Sequence, residues 1–294
     1  MGIYDYAVRR RLEQKVITAN AKEGSASGVL KSMDAQTFGS DGLFEDWSGV
    51  ITDYDWTTAA NTNALHSFGA LWKGVAGDAA AITNASETNG ANAVKIVSGT
   101  AAGDSAIFAA QKPFYATRNS TWNGAQNGLV FECLASMIDT EGQVFNAFMG
   151  LVSPTAGNPL AELDNLESGT GAYGAPKRIG FAHNALGTSN AITMITSAGS
   201  SQVAVGTTTE TLLAPIKHYK IIYTTGAYSG SGSTVGTSYT ANVSFYIDDT
   251  LVRSEATSNY LPTGNYAFYP YFYLEPGGAL DQFMKVYAVK TYYF

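Results

Sequence analysis

Charge, cysteine and long apolar runs are all scarce in this 294-residue chain, and each scarcity removes a class of protein. Only 14% of residues are Lys, Arg, Asp or Glu while 45% are hydrophobic, so the chain belongs with core-forming globular proteins and not with disordered, charge-rich ones. The single cysteine, Cys133, excludes an intrachain disulfide framework and a cysteine-based zinc site. Inside "GLVFECLASM" it reads as a small apolar core residue. The three histidines, His66, His183 and His218, lack metal-ligand spacing. No apolar stretch approaches the roughly 18 to 20 residues of a membrane-spanning helix. The start, "MGIYDYAVRRRLEQK", is charged where a secretory signal needs an apolar segment. The expectation is a chain without membrane contact or signal peptide, made in a cytoplasm and released from that cell by lysis if it leaves at all. The N-x-[ST] matches at Asn84, Asn119 and Asn242 then carry little weight, and Tyr6 argues against myristoylation at Gly2.

What is present is aromatic and glycine-rich: 18 Tyr, 14 Phe and 31 Gly, a composition of short strands and long turns. At this length one all-β sandwich is an ordinary outcome. Charge is unevenly placed. Residues 1–33 hold six basic residues (Arg9, Arg10, Arg11, Lys15, Lys22, Lys31) against Asp5, Glu13 and Glu23, a net +3, which leaves −10 for the other 261 residues of a chain whose total is −7. An acidic body with a basic arm argues against nucleic acid as a partner and for a separate docking segment. In that arm Val8, Leu12 and Val16 recur at helical spacing with arginines between them, behind a possible N-cap at Asp5. So short a helix is marginal alone and orders against another surface. A Gly/Ser-rich connector follows, which divides the chain into an arm over 1–42 and a body over 43–294.

Along the body, strand-like runs are separated by turn residues with no long helical period. Ala93–Val97 and Ser105–Ala109 are two candidates joined by a glycine-containing turn. "NGLVFECLASMI" and "QVFNAFMGLVS" are continuous apolar runs, the mark of strands buried on both sides. "KRIGFAHN", "AITMITSA", "QVAVGT" and "HYKIIYTT" continue the series. In "TANVSFYIDDTLVRSEA", Val243, Phe245 and Ile247 share one face and Asp248-Asp249-Thr250 supplies a tight turn into the returning strand. "YPYFYLE" and "KVYAVKTYY" close the chain.

This order of elements resembles the concanavalin A-like lectin/laminin-G jelly roll, in the variant common among tailed-phage virion proteins. The resemblance rests on "GLVFECLASM" and its partner "FNAFMGLVS", on "HYKIIYT", on "VSFYIDDTLV", and on "YPYFYLE" and "KVYAVKTYY", over roughly residues 43–294. It implies an all-β jelly-roll sandwich with a short helical or extended N-terminal arm. It does not imply an activity, because the architecture hosts lectins, hydrolases and structural shells. Asp249 stands where the family usually has glycine.

Within that family, E-x-D-x-x-E carries the nucleophile and acid/base of retaining glycosidases, and Glu162, Asp164 and Glu167 of "AELDNLE" fit it. Strand alternation separates Glu167 from the other two unless a bulge intervenes, and the carboxyl groups must stand about 5–5.5 Å apart. The flanks "SPTAGNP" and "SGTGAYGAP" read as loop, which lacks the support such precision needs. No catalytic, cofactor-binding or metal residue is therefore expected. Asp41, Glu45, Asp46, Asp53 and Asp55 form an acidic cluster with calcium-like donors but no EF-hand register. Trp47, Trp56, Trp72 and Trp122 lie in the loop-rich first half, where sugar stacking competes with anchoring a loop or filling an interface pocket. "GSGSTVG" lacks the lysine of a phosphate-binding loop. The resulting expectation is a non-enzymatic virion protein, a capsid decoration or cement protein without cofactor. Its arm, through Val8, Arg9, Arg10, Arg11, Leu12 and Val16, docks on the major capsid protein or a neighbouring copy, in a dimer or trimer. A carbohydrate-binding module of a head or tail fibre that adsorbs to host glycans is the alternative, and a glycoside hydrolase the third reading.

Overall fold

The computed structural model describes residues 42–46, 66–68, 72–77, 80–86, 92–100, 104–115, 128–138, 146–154, 177–183, 191–199, 202–211, 216–225, 241–256, 261–262, 266–276 and 282–293. The strands in chain order are β1 (Gly42–Asp46), β2 (His66–Phe68), β3 (Trp72–Ala76), β4 (Ala81–Ser86), β5 (Asn92–Val97) and β6 (Ala106–Ala110). They continue with β7 (Phe114–Tyr115), β8 (Gly128–Ile138), β9 (Asn146–Ser153), β10 (Lys177–His183), β11 (Ala191–Ser197) and β12 (Gln202–Thr211). The last five are β13 (Lys217–Thr225), β14 (Ala241–Ile247), β15 (Thr250–Glu255), β16 (Ala267–Glu275) and β17 (Phe283–Tyr293). No helix occurs among the described residues.

Every pairing is antiparallel, and the strands form two sheets. Sheet I has eight strands, in the order β15-β14-β13-β8-β17-β5-β4, with β1 also paired to β17. Sheet II has nine, in the order β12-β11-β10-β9-β16-β6-β3-β2, with β7 also paired to β16. One edge of β17 is shared: Phe283–Val286 pair with β5 and the stretch from Ala288 to Tyr292 pairs with β1. The change of partner falls at a bulge between Val286 and Ala288, which re-aims the strand.

The strands form because their apolar side chains alternate onto a common core. In β14 the alternation is clean, with Val243, Phe245 and Ile247 buried and the residues between them partly or fully exposed. Between the sheets, Phe131 of sheet I meets Phe272 of sheet II with ring centroids 6.1 Å apart, and Phe181 of β10 meets Phe245 of β14 at 5.4 Å. Cys133 Sγ lies 3.8 Å from Met149 Sδ across the same gap. The β8 and β9 runs are both buried strands, as expected, but they are not ladder partners. They face each other from opposite sheets, because each needs an apolar surface on the side its hydrogen bonds do not reach. The link after β5 likewise crosses between sheets, since β5 pairs in sheet I and β6 in sheet II.

The β14–β15 hairpin forms where the sequence placed it. Asp248 and Asp249 have φ of 50° and 64°, and positive φ at both central residues is the type I′ turn whose twist suits a two-residue hairpin. Asp tolerates that region better than most residues, although less well than glycine.

Candidate functional site

Val8, Arg9, Arg10, Arg11, Leu12 and Val16, the carboxylates Glu162, Asp164 and Glu167, and Trp47, Trp56 and Trp122 lie outside the described residues, as do Asp41, Asp53 and Asp55. Glu45 and Asp46 fall in β1, whose backbone pairs with β17. Trp72 corrects its placement in a loop-rich half. It is a β3 residue 1% exposed, stacked on Phe108 with centroids 4.7 Å apart, so no sugar ring can lie on it. His66, His183 and His218 belong to β2, β10 and β13, and among the described residues no group of three or more His, Cys, Asp or Glu converges on a metal position.

Among the described residues two surfaces are laid out by the strand registers, the outer faces of the two sheets. On sheet II the register Tyr271–Gly150–Gly180–Ile195 crosses four strands. Around it Ile107, Ala109, Phe148, Val152, Ala182, Ile195, Tyr271 and Tyr273 form a second apolar cluster, each 3% exposed or less. The two glycines make the floor. A Cβ at Gly180 would lie 2.4 Å from the Phe148 ring, and one at Gly150 would lie 2.3 Å from the Ile179 carbonyl oxygen. Phe148 also meets Tyr271 edge-on, at 6.3 Å. Arg178 is fully buried on the same face. One end of the face is polar. Asn146 Nδ2 and the Tyr273 hydroxyl both donate to Glu275 Oε2, each at 3.1 Å. Among the described residues this corner offers a single carboxylate, whereas hydrolysis of a glycosidic bond needs two.

On sheet I the outer face centres on Glu132, at the middle of β8 and 6% exposed. Its carboxylate accepts a hydrogen bond from the Tyr292 hydroxyl (2.9 Å), lies 3.2 Å from His218 Nε2 and stands 3.8 Å from Lys220 Nζ. His218 Nδ1 is 3.5 Å from Asp249 Oδ1, so a carboxylate faces each ring nitrogen. The hairpin turn is tied down twice: the His218 amide donates to Asp248 Oδ1 (2.9 Å) and the Asp248 amide donates to the His218 carbonyl (2.8 Å). Around this node the lysines sit over aromatic rings, Lys290 over Tyr292 at 4.3 Å and Lys95 over Phe283 at 4.5 Å. The sequence reading missed Glu132. Its signal was present, a lone charge inside "GLVFECLASM", since a buried charge must be partnered.

Ionisation is suppressed in the core behind these faces. Burial, and then the neighbouring Glu132 carboxylate, push the Cys133 thiol well above its ordinary value of 9.0. Burial, and then Tyr266, raise the Tyr223 phenol, whose hydroxyl donates to the Pro262 carbonyl. A thiol so placed is a packing residue and no nucleophile.

No protein-family model matches the chain, and neither does any curated protein sequence. Solved structures do match in shape. An alginate lyase, Aly36B, in complex with an alginate trisaccharide superposes with a TM-score of 0.50 at 11% identity, over 86% of this chain and 98% of the lyase. Peanut lectin gives 0.49 at 11% identity, over 87% and 98%. A GH16 protein from the mixed-linkage glucan locus of Bacteroides ovatus gives 0.48 at 12%, over 85% and 99%. At these identities the likeness concerns the fold alone: the chain is a concanavalin A-like jelly-roll sandwich.

Proposed function

We propose that this chain is a non-catalytic structural protein of a tailed-phage virion, a decoration or cement protein on the capsid surface. The observation that carries the non-catalytic part is the outer face of sheet II. A sugar-cleaving or sugar-binding site needs an open concave surface with convergent polar groups. Here that face is packed to 3% exposure or less around Phe148 and Tyr271, and its polar corner holds one carboxylate among the described residues. The virion part rests on the resemblance of the strand series to phage structural jelly rolls and on the basic arm of an otherwise acidic chain. In this reading Val8, Leu12 and Val16 of the arm seat in a groove of the major capsid protein and Arg9, Arg10 and Arg11 pair with its acids. Many weak contacts of this kind, repeated over a lattice, oppose internal pressure.

Two measurements test the reading. Full-length protein incubated with β-glucan and with alginate is expected to release no product; release that disappears in Glu162→Gln would overturn the non-catalytic assignment. The protein is expected to co-sediment with empty phage shells and to lose that association when residues 1–33 are removed. Undiminished association would sink the docking role.

A second reading, a carbohydrate-binding module, has one observation in its favour. Asn146, Tyr273 and Glu275 place an amide, a phenol and a carboxylate at the end of an aromatic face, the groups that hold sugar hydroxyls. A glycan array that includes uronate oligosaccharides decides it. A binder lost in Glu275→Gln supports the module, and an empty array removes it.

A further inference from the structure

Two large apolar side chains among the described residues are exposed, Tyr115 at 43% and Leu251 at 53%. Leu251, on the edge strand β15, stands directly opposite Tyr246 of β14. Tyr246 is opposite Lys220 of β13, and two residues beyond Lys220 comes Ile222, opposite Ser244. Alternation sends Leu251, Tyr246 and Ile222 to the outer face of sheet I, because Ile221, Tyr223 and Phe245 point into the core. Tyr246 and Ile222 are both partly exposed. The three form a diagonal apolar strip, two strand spacings across and two residues along, so Leu251 and Ile222 stand about 12 Å apart. At the Leu251 end lies the Asp248–Asp249 turn, whose side chains are 56% and 81% exposed. The cations near it are more covered or already engaged. Lys217, 14% exposed, is 4.0 Å from Asp248, and His218 faces Asp249. Lys220 lies over Tyr246 and 3.8 Å from Glu132, and Arg253 meets Glu255 at 3.3 Å.

We propose that this strip is the seat of the chain's own N-terminal arm. Read as a helix, Val8, Leu12 and Val16 line one stripe, and its eight-residue span is about 12 Å, the length of the strip. The direction follows from the tether. Ile222 is opposite Val130, Val130 is opposite Tyr292, and Tyr292 is opposite Gly42, the first residue of β1. Those three strand spacings amount to about 14 Å. The Gly/Ser-rich connector takes 26 steps from Val16 to Gly42, for a mean end-to-end distance of roughly 25–30 Å. Val16 therefore reaches Ile222 with slack, and the arm runs outward until Val8 lies on Leu251. Arg9, Arg10 and Arg11 then stand beside Asp248 and Asp249, where the charges are opposite. The tether holds the arm at an effective concentration on the order of millimolar, so a weak contact is enough to keep it seated. The seat does not depend on the virion reading. If that reading holds, the same stripe serves both surfaces, and a capsid lattice must displace the arm from the hairpin before it can dock.

Trypsin tests the proposal on the full chain, because Arg9, Arg10 and Arg11 are themselves cleavage sites and a seated segment is cut only when it opens. A free peptide of residues 1–20 is the reference. At low salt the wild-type arm is expected to be cut about threefold or more slowly than the peptide, at a rate per chain independent of protein concentration. Leu251→Ser and the double variant D248N/D249N are each expected to bring the rate to within about twofold of the peptide. Asn accepts the positive φ of the turn, so the double variant removes charge and keeps the hairpin. Tyr115→Ser, at the other exposed ring, is expected to leave the wild-type rate unchanged. An arm cut as fast as the peptide, protection that survives both hairpin variants, or equal loss in Tyr115→Ser would each overturn the seat. Protection that grows with protein concentration would give the strip to the arm of a second copy and overturn the contact within one chain. No phage shell enters this measurement, so its failure is distinct from a failure of co-sedimentation.

Discussion

The two sheets of this sandwich use their outer faces in opposite ways. Sheet II packs Phe148, Tyr271 and Ile195 over a pair of glycines and leaves them all but fully buried. Sheet I carries lysines, tyrosines and an acidic turn, partly exposed, around a single buried carboxylate. The chemistry follows from the side chains that alternation sends outward. In β9 these are Phe148, Gly150 and Val152, which hold no charge to hydrate. In β13 and β17 they include Lys220, Lys285 and Lys290, whose ammonium groups lie over neighbouring aromatic rings. One face thus adds apolar packing to the core, while the other carries charge and rings on the strands that flank a buried centre, although both belong to the same kind of ladder.

The strongest way to break this contrast is to delete an aromatic from each face. Phe148→Ala is expected to cost about 3–5 kcal/mol in urea denaturation, because the ring leaves a cavity over Gly180 that the sheet cannot close. Tyr246→Ala on sheet I is expected to cost about 1 kcal/mol or less. Equal losses would mean that the two faces are not different in kind. Next in size is Glu132→Gln, which takes the charge facing His218 and Lys220 and is expected to cost about 2 kcal/mol. The same measurement on Glu275→Gln, at the rim of sheet II, should give a smaller loss.

The shared core predicts a pH dependence that belongs to neither face. Cys133 and Tyr223 are both held neutral by burial, so the folded state resists an ionisation that the unfolded state accepts. Their contribution is fully present below the ordinary thiol value of 9.0. It is lost as pH rises through that value and the ordinary phenol value of 10.0, because the unfolded chain then releases protons that the folded chain keeps. Chemical denaturation from pH 8 to 10.5 is expected to show falling stability, and thiol labelling of Cys133 at pH 8 is expected only after unfolding. Rapid labelling of the native protein would mean that the core opens. The smallest expected effect is at the hairpin. Asp249→Gly relieves a positive φ but removes the carboxylate beside His218, for a net gain of at most about 1 kcal/mol in thermal melting.

Much of the sandwich was legible before any coordinates. "GLVFECLASM", "FNAFMGLVS", "VSFYIDDTLV" and "KVYAVKTYY" are all strands, because apolar runs of that length between turn residues have few other ways to bury themselves. The hairpin was readable at Asp248 and Asp249, although Thr250, read as part of the turn, already belongs to β15. Trp72 was not, since a tryptophan in a short glycine-punctuated stretch has the same local pattern whether it anchors a loop or stacks on Phe108 in the core. The Glu132 node was hidden for another reason. His218 comes 86 residues after Glu132 and Tyr292 comes 160 residues after it, and no local pattern encodes such a meeting.

What the sequence determined by itself is the class of the protein: all-β, built of short antiparallel strands, with one thiol and no disulfide framework. Periodicity and turn chemistry are local, so a window of about ten residues carries them. What only the tertiary structure decided is which runs share a sheet, and therefore which outer face packs apolar side chains and which gathers charged ones. Both β8 and β9 read as apolar on both sides, yet the outer side of β8 gathers Tyr292, His218 and Lys220 while that of β9 meets Gly180 and Tyr271. That choice rests on pairings between strands far apart in the chain.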